Sequence, residues 1–165
     1  MKQITVRNAM INKKDISISN IVLGLISRKY AAVCEVLEAY QGGCKVRILR
    51  IAPCGRDDGF IVGTEPTFEY ECCCGLVCNE ENLRSLGFID SDEKGWSLMY
   101  YFGDMKLLYH QDRRMSLARF RFKSSFVKRY VSISCHHVHE LQNIMKFLTG
   151  GELAFTWQEE TPEKA

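Results

Sequence analysis

A chain of 165 residues has the size of one ordinary domain, and 46% hydrophobic with 25% charged residues excludes a disordered, collagen-like or low-complexity polymer. The formal net charge of +2 gives the whole molecule no polyelectrolyte character, so affinity for acidic partners must come from how charge is distributed. Eight cysteines are too few for a disulfide scaffold and point, without a secretory leader pattern, to a reducing compartment, and the longest apolar stretch, Ile21 to Ile26, is far short of the roughly 20 residues of a spanning helix.

Alternation over residues 3 to 11, with Ile4, Val6 and Met10 on one face, predicts a first strand ended by Asn12, Lys13, Lys14 and Asp15. Ile18, Ile21, Val22, Leu25, Ile26, Val33, Leu37 and Tyr40 then recur at spacings of three and four. With Ser17 and Ser19 as caps and Gly42-Gly43 as a stop, they predict a long helix that Gly24 or Ser27-Arg28 could bend.

Residues 44 to 52 and 67 to 74 read as strands, the second placing Phe68, Tyr70, Cys72 and Cys74 on its core face and Cys73 on the other. Between them, two prolines and three glycines predict a long loop with Phe60, Ile61 and Val62 in its middle. Two runs, 96 to 102 and 105 to 110, flank Gly103-Asp104, which suits a type II′ hairpin turn. Residues 117 to 123 and 129 to 134 alternate as strands. Val138, Leu141, Met145 and Leu148 mark a helix stopped by Gly150-Gly151, and Leu153, Phe155 and Trp157 a last short strand.

This order predicts an α+β fold, a single domain over residues 1–158 in which a mainly antiparallel sheet packs with one long N-terminal helix and one C-terminal helix. A long loop is expected at 53–66 and a flexible acidic tail at 159–165.

Charge is partitioned along the chain, from a net −7 over residues 65 to 93 to a net +6 over 104 to 130. On a strand, Arg119, Arg121 and Lys123 share one face while Phe120 and Phe122 share the other, so the cations stand together above a packed aromatic layer. With Arg113, Arg114, Lys128 and Arg129 they form a candidate surface for phosphate, on a membrane or a nucleocapsid. The opposing expectation is a solvated strand face whose charges pair within the molecule. The apolar triplet Phe60, Ile61 and Val62 either plugs the core or forms an exposed tip for self-association.

No Walker loop, GxSxG or HExxH occurs, so the sequence offers no catalytic residues and the expectation is a protein that is not an enzyme. Cys72, Cys73, Cys74 and Cys78 with Cys135, His136, His137 and His139 raise the question of zinc. The spacing lacks any CxxC and alternation sends Cys73 away from its neighbours, so no metal and no cofactor are expected.

The stretch KVRILRIAPCGRDDGFIVGTEPTFEYECCCG, a strand, an apolar loop and a strand containing Glu and Tyr, resembles the corresponding region of rhabdovirus matrix proteins, and the surrounding order of elements is similar. The length is nearer the compact matrix proteins of the plant-infecting cytorhabdovirus type. The resemblance implies a structural protein of the virion and host cytoplasm, peripheral to membrane. Such a protein self-associates through Phe60, Ile61 and Val62 and links the viral nucleocapsid to an anionic membrane surface. The alternative from another class is a basic-strand nucleic-acid-binding module, such as a viral RNA-silencing suppressor, with RNA stacked on exposed tyrosines.

Overall fold

A computed structural model describes residues 11–27, 30–51, 61–112, 117–124 and 129–158. The chain divides into two compact units, one from Met1–Leu76 with Val138–Ala154, the other from Val77–His137 with Phe155–Ala165.

The first unit is an antiparallel sheet of β1 (Ile21–Ser27), β2 (Tyr30–Ala39), β3 (Gly43–Ile51), β4 (Thr67–Glu69) and β5 (Cys73–Gly75), in the order β4-β3-β2-β1-β5. The long N-terminal helix expected over Ile18 to Tyr40 does not form. Those residues make β1 and β2, with Ile21 opposite Glu35 and Leu25 opposite Ala31. The physical reason is burial on both faces: Ile21, Val22 and Leu23 are all buried, as are Ala31 to Cys34. A strand without a wet face loses its alternation, helical spacings then arise by default, and the β-branched content decides for the extended chain. The single sheet with a long helix is thus replaced by two five-stranded antiparallel sheets.

The strand expected over residues 67 to 74 is also interrupted. After β4 a 3-10 turn, Tyr70–Cys72, carries the chain from the edge beside β3 to the opposite edge, where β5 pairs with β1. Three residues of turn reset the alternation, so Cys73 faces the core with Cys44, Cys34 and Phe68. Gly24 lets this core close, because a Cβ there would stand 3.0 Å from the Phe68 ring.

Of the long loop expected at 53–66, residues 53 to 60 lie outside the described residues, as do residues 3 to 10 of the strand expected over 3 to 11 and the tail at 159–165. Thr64 and Pro66 accept backbone hydrogen bonds from Ile48 and Val46, so the loop's second half extends the β3–β4 ladder.

The unit is completed by α2 (Val138–Thr149), which occupies the segment predicted from its apolar spacing and ends before Gly150 at φ +70°. Buried Gln142 fastens it. Its Oε1 accepts from the Ile21 N–H at 2.8 Å, and its Nε2 donates to the carbonyls of Ser19 and Leu153 at 2.9 and 3.0 Å. One side-chain amide thereby satisfies three backbone groups that would otherwise lie buried without partners.

The second unit begins with a short helix, α1 (Glu80–Ser85), capped by the Asn79 side chain, and continues as β6 (Ile89–Asp90), β7 (Leu98–Phe102), β8 (Met105–Asp112), β9 (Leu117–Lys123) and β10 (Val131–Cys135). The strands lie in the order β10-β9-β8-β7-β6. Gly103 has φ +58°, and Ser19 is the one non-glycine among the described residues with positive φ, so Asp104 has negative φ and the β7–β8 turn is type II′ as its sequence predicts.

Period-two alternation sends Leu98, Leu107, Tyr109, Phe120, Phe122, Ile133 and Cys135 to one face, where all are buried. Phe88, Tyr100 and Phe155 stack there with ring centroids 5.0 to 5.8 Å apart. Phe155 belongs to a segment outside any helix or strand, not to the last strand the sequence predicts. The consequence for function is that the opposite face of this sheet carries the charged and partly exposed residues, His110, Arg119 and Lys123 among them.

Candidate functional site

Strand register fixes what the outward face contains. Lys106 stands opposite Tyr101 on one side and Lys123 on the other; Leu108 stands between Met99 and Arg121; His110 faces Arg119. Beyond β9, Ser132 and Ser134 lie opposite Arg121 and Arg119. The period of two that grouped Arg119, Arg121 and Lys123 therefore also brings Lys106 and His110 beside them, with tyrosines at the rim.

The centre of the face is a cation in contact with two rings. The Arg121 guanidinium carbon lies 5.1 Å from the Trp96 ring centroid and 5.0 Å from that of Tyr130, and Lys123 Nζ lies 5.6 Å from the same tyrosine. Trp96 also meets His110 edge to face at 6.3 Å. Arg121 Nε is buried and has no hydrogen-bond partner. Both rings lie within cation–π range of the guanidinium carbon, so the charge of Arg121 is held at this aromatic cluster.

The acidic block partly neutralises this surface, as the opposing expectation held. Lys106 Nζ pairs with Glu93 at 2.8 Å and Asp92 at 3.1 Å, and these carboxylates, Glu93 foremost, hold its ammonium above the usual lysine range. Arg119 pairs with Asp112 at 2.8 Å, and Arg84 with Asp90. Arg121, Lys123 and Arg129 have no carboxylate partner among the described residues, so the free positive charge gathers at one end of the face around Tyr130. Arg113, Arg114 and Lys128 lie outside the described residues.

Nothing in residue spacing singles out Trp96, because the stack forms across strands. The signal that places it is the hairpin: a two-residue turn at Gly103-Asp104 sets Tyr101 opposite Lys106, and the same register brings Ser97 to Tyr109, whose carbonyl its N–H meets at 2.8 Å. Trp96 then falls beside His110.

No protein family, curated protein or solved structure matches this chain. The chemistry of the face therefore stands on its own residues.

The other candidate residues lie in the first unit. Ile61 is 62% exposed and Val62 48% exposed, on a turn whose Gly63 N–H bonds to the Ile48 carbonyl. Phe60 lies outside the described residues. Glu65, just beyond the turn, bridges Lys45 at 3.1 Å and Arg47 at 3.0 Å, and these two cations, Arg47 foremost, lower its pKa. Among the described residues no group of three or more His, Cys, Asp or Glu is arranged to hold a metal ion, and no helix is long and apolar enough to cross a membrane.

Proposed function

We propose that the protein binds single-stranded nucleic acid on the outer face of β7 to β10, with Arg121, Lys123 and Arg129 taking backbone phosphates and Tyr130 and Tyr101 offering rings to bases. The observation that carries this reading is the Arg121 guanidinium within cation–π distance of both Trp96 and Tyr130, with Lys123 beside the same tyrosine. Exposed rings interleaved with unpaired cations on a sheet suit a flexible strand whose bases can turn outward, because stacking is indifferent to sequence and phosphate contact supplies affinity. Catalysis is not part of the proposal.

An anionic membrane is the competing occupant, since it too offers phosphates. Anisotropy titrations of a labelled single-stranded RNA, run beside vesicles containing phosphatidylserine and repeated at several salt concentrations, separate the two. The reading expects RNA binding that weakens steeply with salt and falls about tenfold in Arg121→Ala, since hydrogen bonds to charged groups contribute about 1.5–3 kcal/mol. Vesicle binding with no RNA binding overturns it.

A second reading is favoured by the exposure of Ile61 and Val62: self-association through that turn, the assembly role that the matrix-protein resemblance implies. Sedimentation velocity over a concentration series tests it. An Ile61→Ser, Val62→Ser variant should stay smaller than the parent at high concentration, and identical behaviour of the two removes the turn from any assembly.

A further inference from the structure

Two buried thiols meet in the core of the first unit. Cys44 on β3 and Cys73 on β5 place their Sγ atoms 3.7 Å apart, and both residues are fully shielded from water. In the strand order β3 and β5 are separated by β2 and β1, so this approach exists because the Tyr70–Cys72 turn carries the chain from one edge of the sheet to the other. A third thiol, Cys34, lies in the same core. It donates to the Ala32 carbonyl at 3.5 Å, and burial pushes it up to about 12, so it stays protonated.

The pair is asymmetric. Either sulfur can donate across this contact. The contact lowers the pKa of Cys44, while the contact and burial raise the pKa of Cys73, so Cys44 is the sulfur whose anion is favoured.

We propose that Cys44 and Cys73 form a peroxide-responsive disulfide that joins β3 to β5 and closes residues 44–73 into a covalent ring. The oxidant is hydrogen peroxide, small enough to reach sulfurs that larger disulfides cannot touch without unfolding. The Cys44 thiolate attacks one peroxide oxygen, the O–O bond breaks, and hydroxide leaves and takes up a proton as water, giving a sulfenic acid. The Cys73 sulfur then attacks the Cys44 sulfur; the S–O bond breaks, and the Cys73 thiol proton goes to the departing hydroxide, which leaves as the second water. Two thiols and one peroxide become one disulfide and two waters. Closing from 3.7 Å to the roughly 2.05 Å of an S–S bond needs side-chain movement within an existing contact, not a new approach of strands.

The ring encloses the turn that exposes Ile61 and Val62, with its flanking strands β3 and β4. Oxidation therefore ties both ends of that segment together without altering its surface.

The full chain is treated with hydrogen peroxide, quenched in acid, unfolded with N-ethylmaleimide and digested for non-reducing peptide mapping. The expected product is a peptide pair linked through Cys44 and Cys73, with Cys34 recovered as its maleimide adduct. In a second arm, limited proteolysis within 53–66 gives two fragments that stay joined until dithiothreitol is added, and Cys73→Ser chain treated the same way gives separate fragments. The mapping uses the unaltered chain, so a folding defect in the variant leaves the decision intact. Recovery of both Cys44 and Cys73 as maleimide adducts, as sulfinic acids, or linked to other cysteines overturns the proposal.

Discussion

Arg121 lies over Trp96, its guanidinium carbon 5.1 Å from the indole centroid, although the two residues are 25 positions apart, Arg121 within β9 and Trp96 ahead of β7. That contact turns a run of alternating charges into an oriented donor. In a solvated strand face Arg121 would sample many rotamers, and ordering it on a ligand would cost side-chain entropy. Contacts to Trp96 and Tyr130 restrict that freedom before binding.

Charge locks on the same face give a first prediction with opposite signs for neighbouring residues. Asp112→Asn releases Arg119, and Glu93→Gln with Asp92→Asn releases Lys106. Each should tighten single-stranded RNA binding severalfold and steepen its salt dependence by about one phosphate contact, while Lys123→Ala should make the slope shallower by about the same amount. Anisotropy titrations from low to physiological salt check both signs.

Gln142 is the fastening point of the first unit. Gln142→Leu keeps the volume and leaves the Ile21 N–H and the Ser19 and Leu153 carbonyls without their partner. The expected loss of stability is about 2–3 kcal/mol, measured by urea denaturation. A loss below about 0.5 kcal/mol would show that these groups have other partners.

Gly24 and Phe68 should be energetically coupled. Gly24→Ala puts a methyl group 3.0 Å from the Phe68 ring and should cost about 1–3 kcal/mol through overpacking. Phe68→Leu in the same chain should recover part of that cost, so the double-mutant cycle gives a non-zero interaction term.

Glu65 carries a pH prediction. Its pKa is lowered by Arg47 and Lys45, so the stabilisation from this clasp is fully present above the ordinary carboxylate pKa and is lost as pH falls through the lowered value in the folded chain. An NMR titration of the Glu65 side-chain carboxyl should give a midpoint below the usual glutamate value, and Arg47→Ala should move it upward.

The second unit was the more legible half of the sequence, for a physical reason. Its strands have one dry face and one wet face, so Phe120 and Phe122 alternate with Arg119, Arg121 and Lys123, and Gly103 marks the hairpin. In the first unit Ile21 to Leu23 and Ala31 to Cys34 are buried without interruption, which erases the signal that separates strand from helix. Cys73 was misplaced because a 3-10 turn shifts the alternation at Tyr70–Cys72, and no residue type in that run marks the shift. The basic half of the candidate site was readable from period two alone. Its aromatic half was not, since Trp96 and Tyr130 reach Arg121 through register between strands and not through proximity in sequence.

Trp96 also supplies the most direct measurement. In a Trp157→Phe background Trp96 is the sole indole, and its emission reports on the stack with Arg121. Titrating single-stranded RNA at low salt should quench that emission with a saturable curve. The same curve should shift about tenfold to higher concentration in the added Arg121→Ala variant, in line with about 1.4 kcal/mol per decade of affinity. Emission that stays constant through the titration, or a curve that Arg121→Ala leaves in place, would contradict binding at this face.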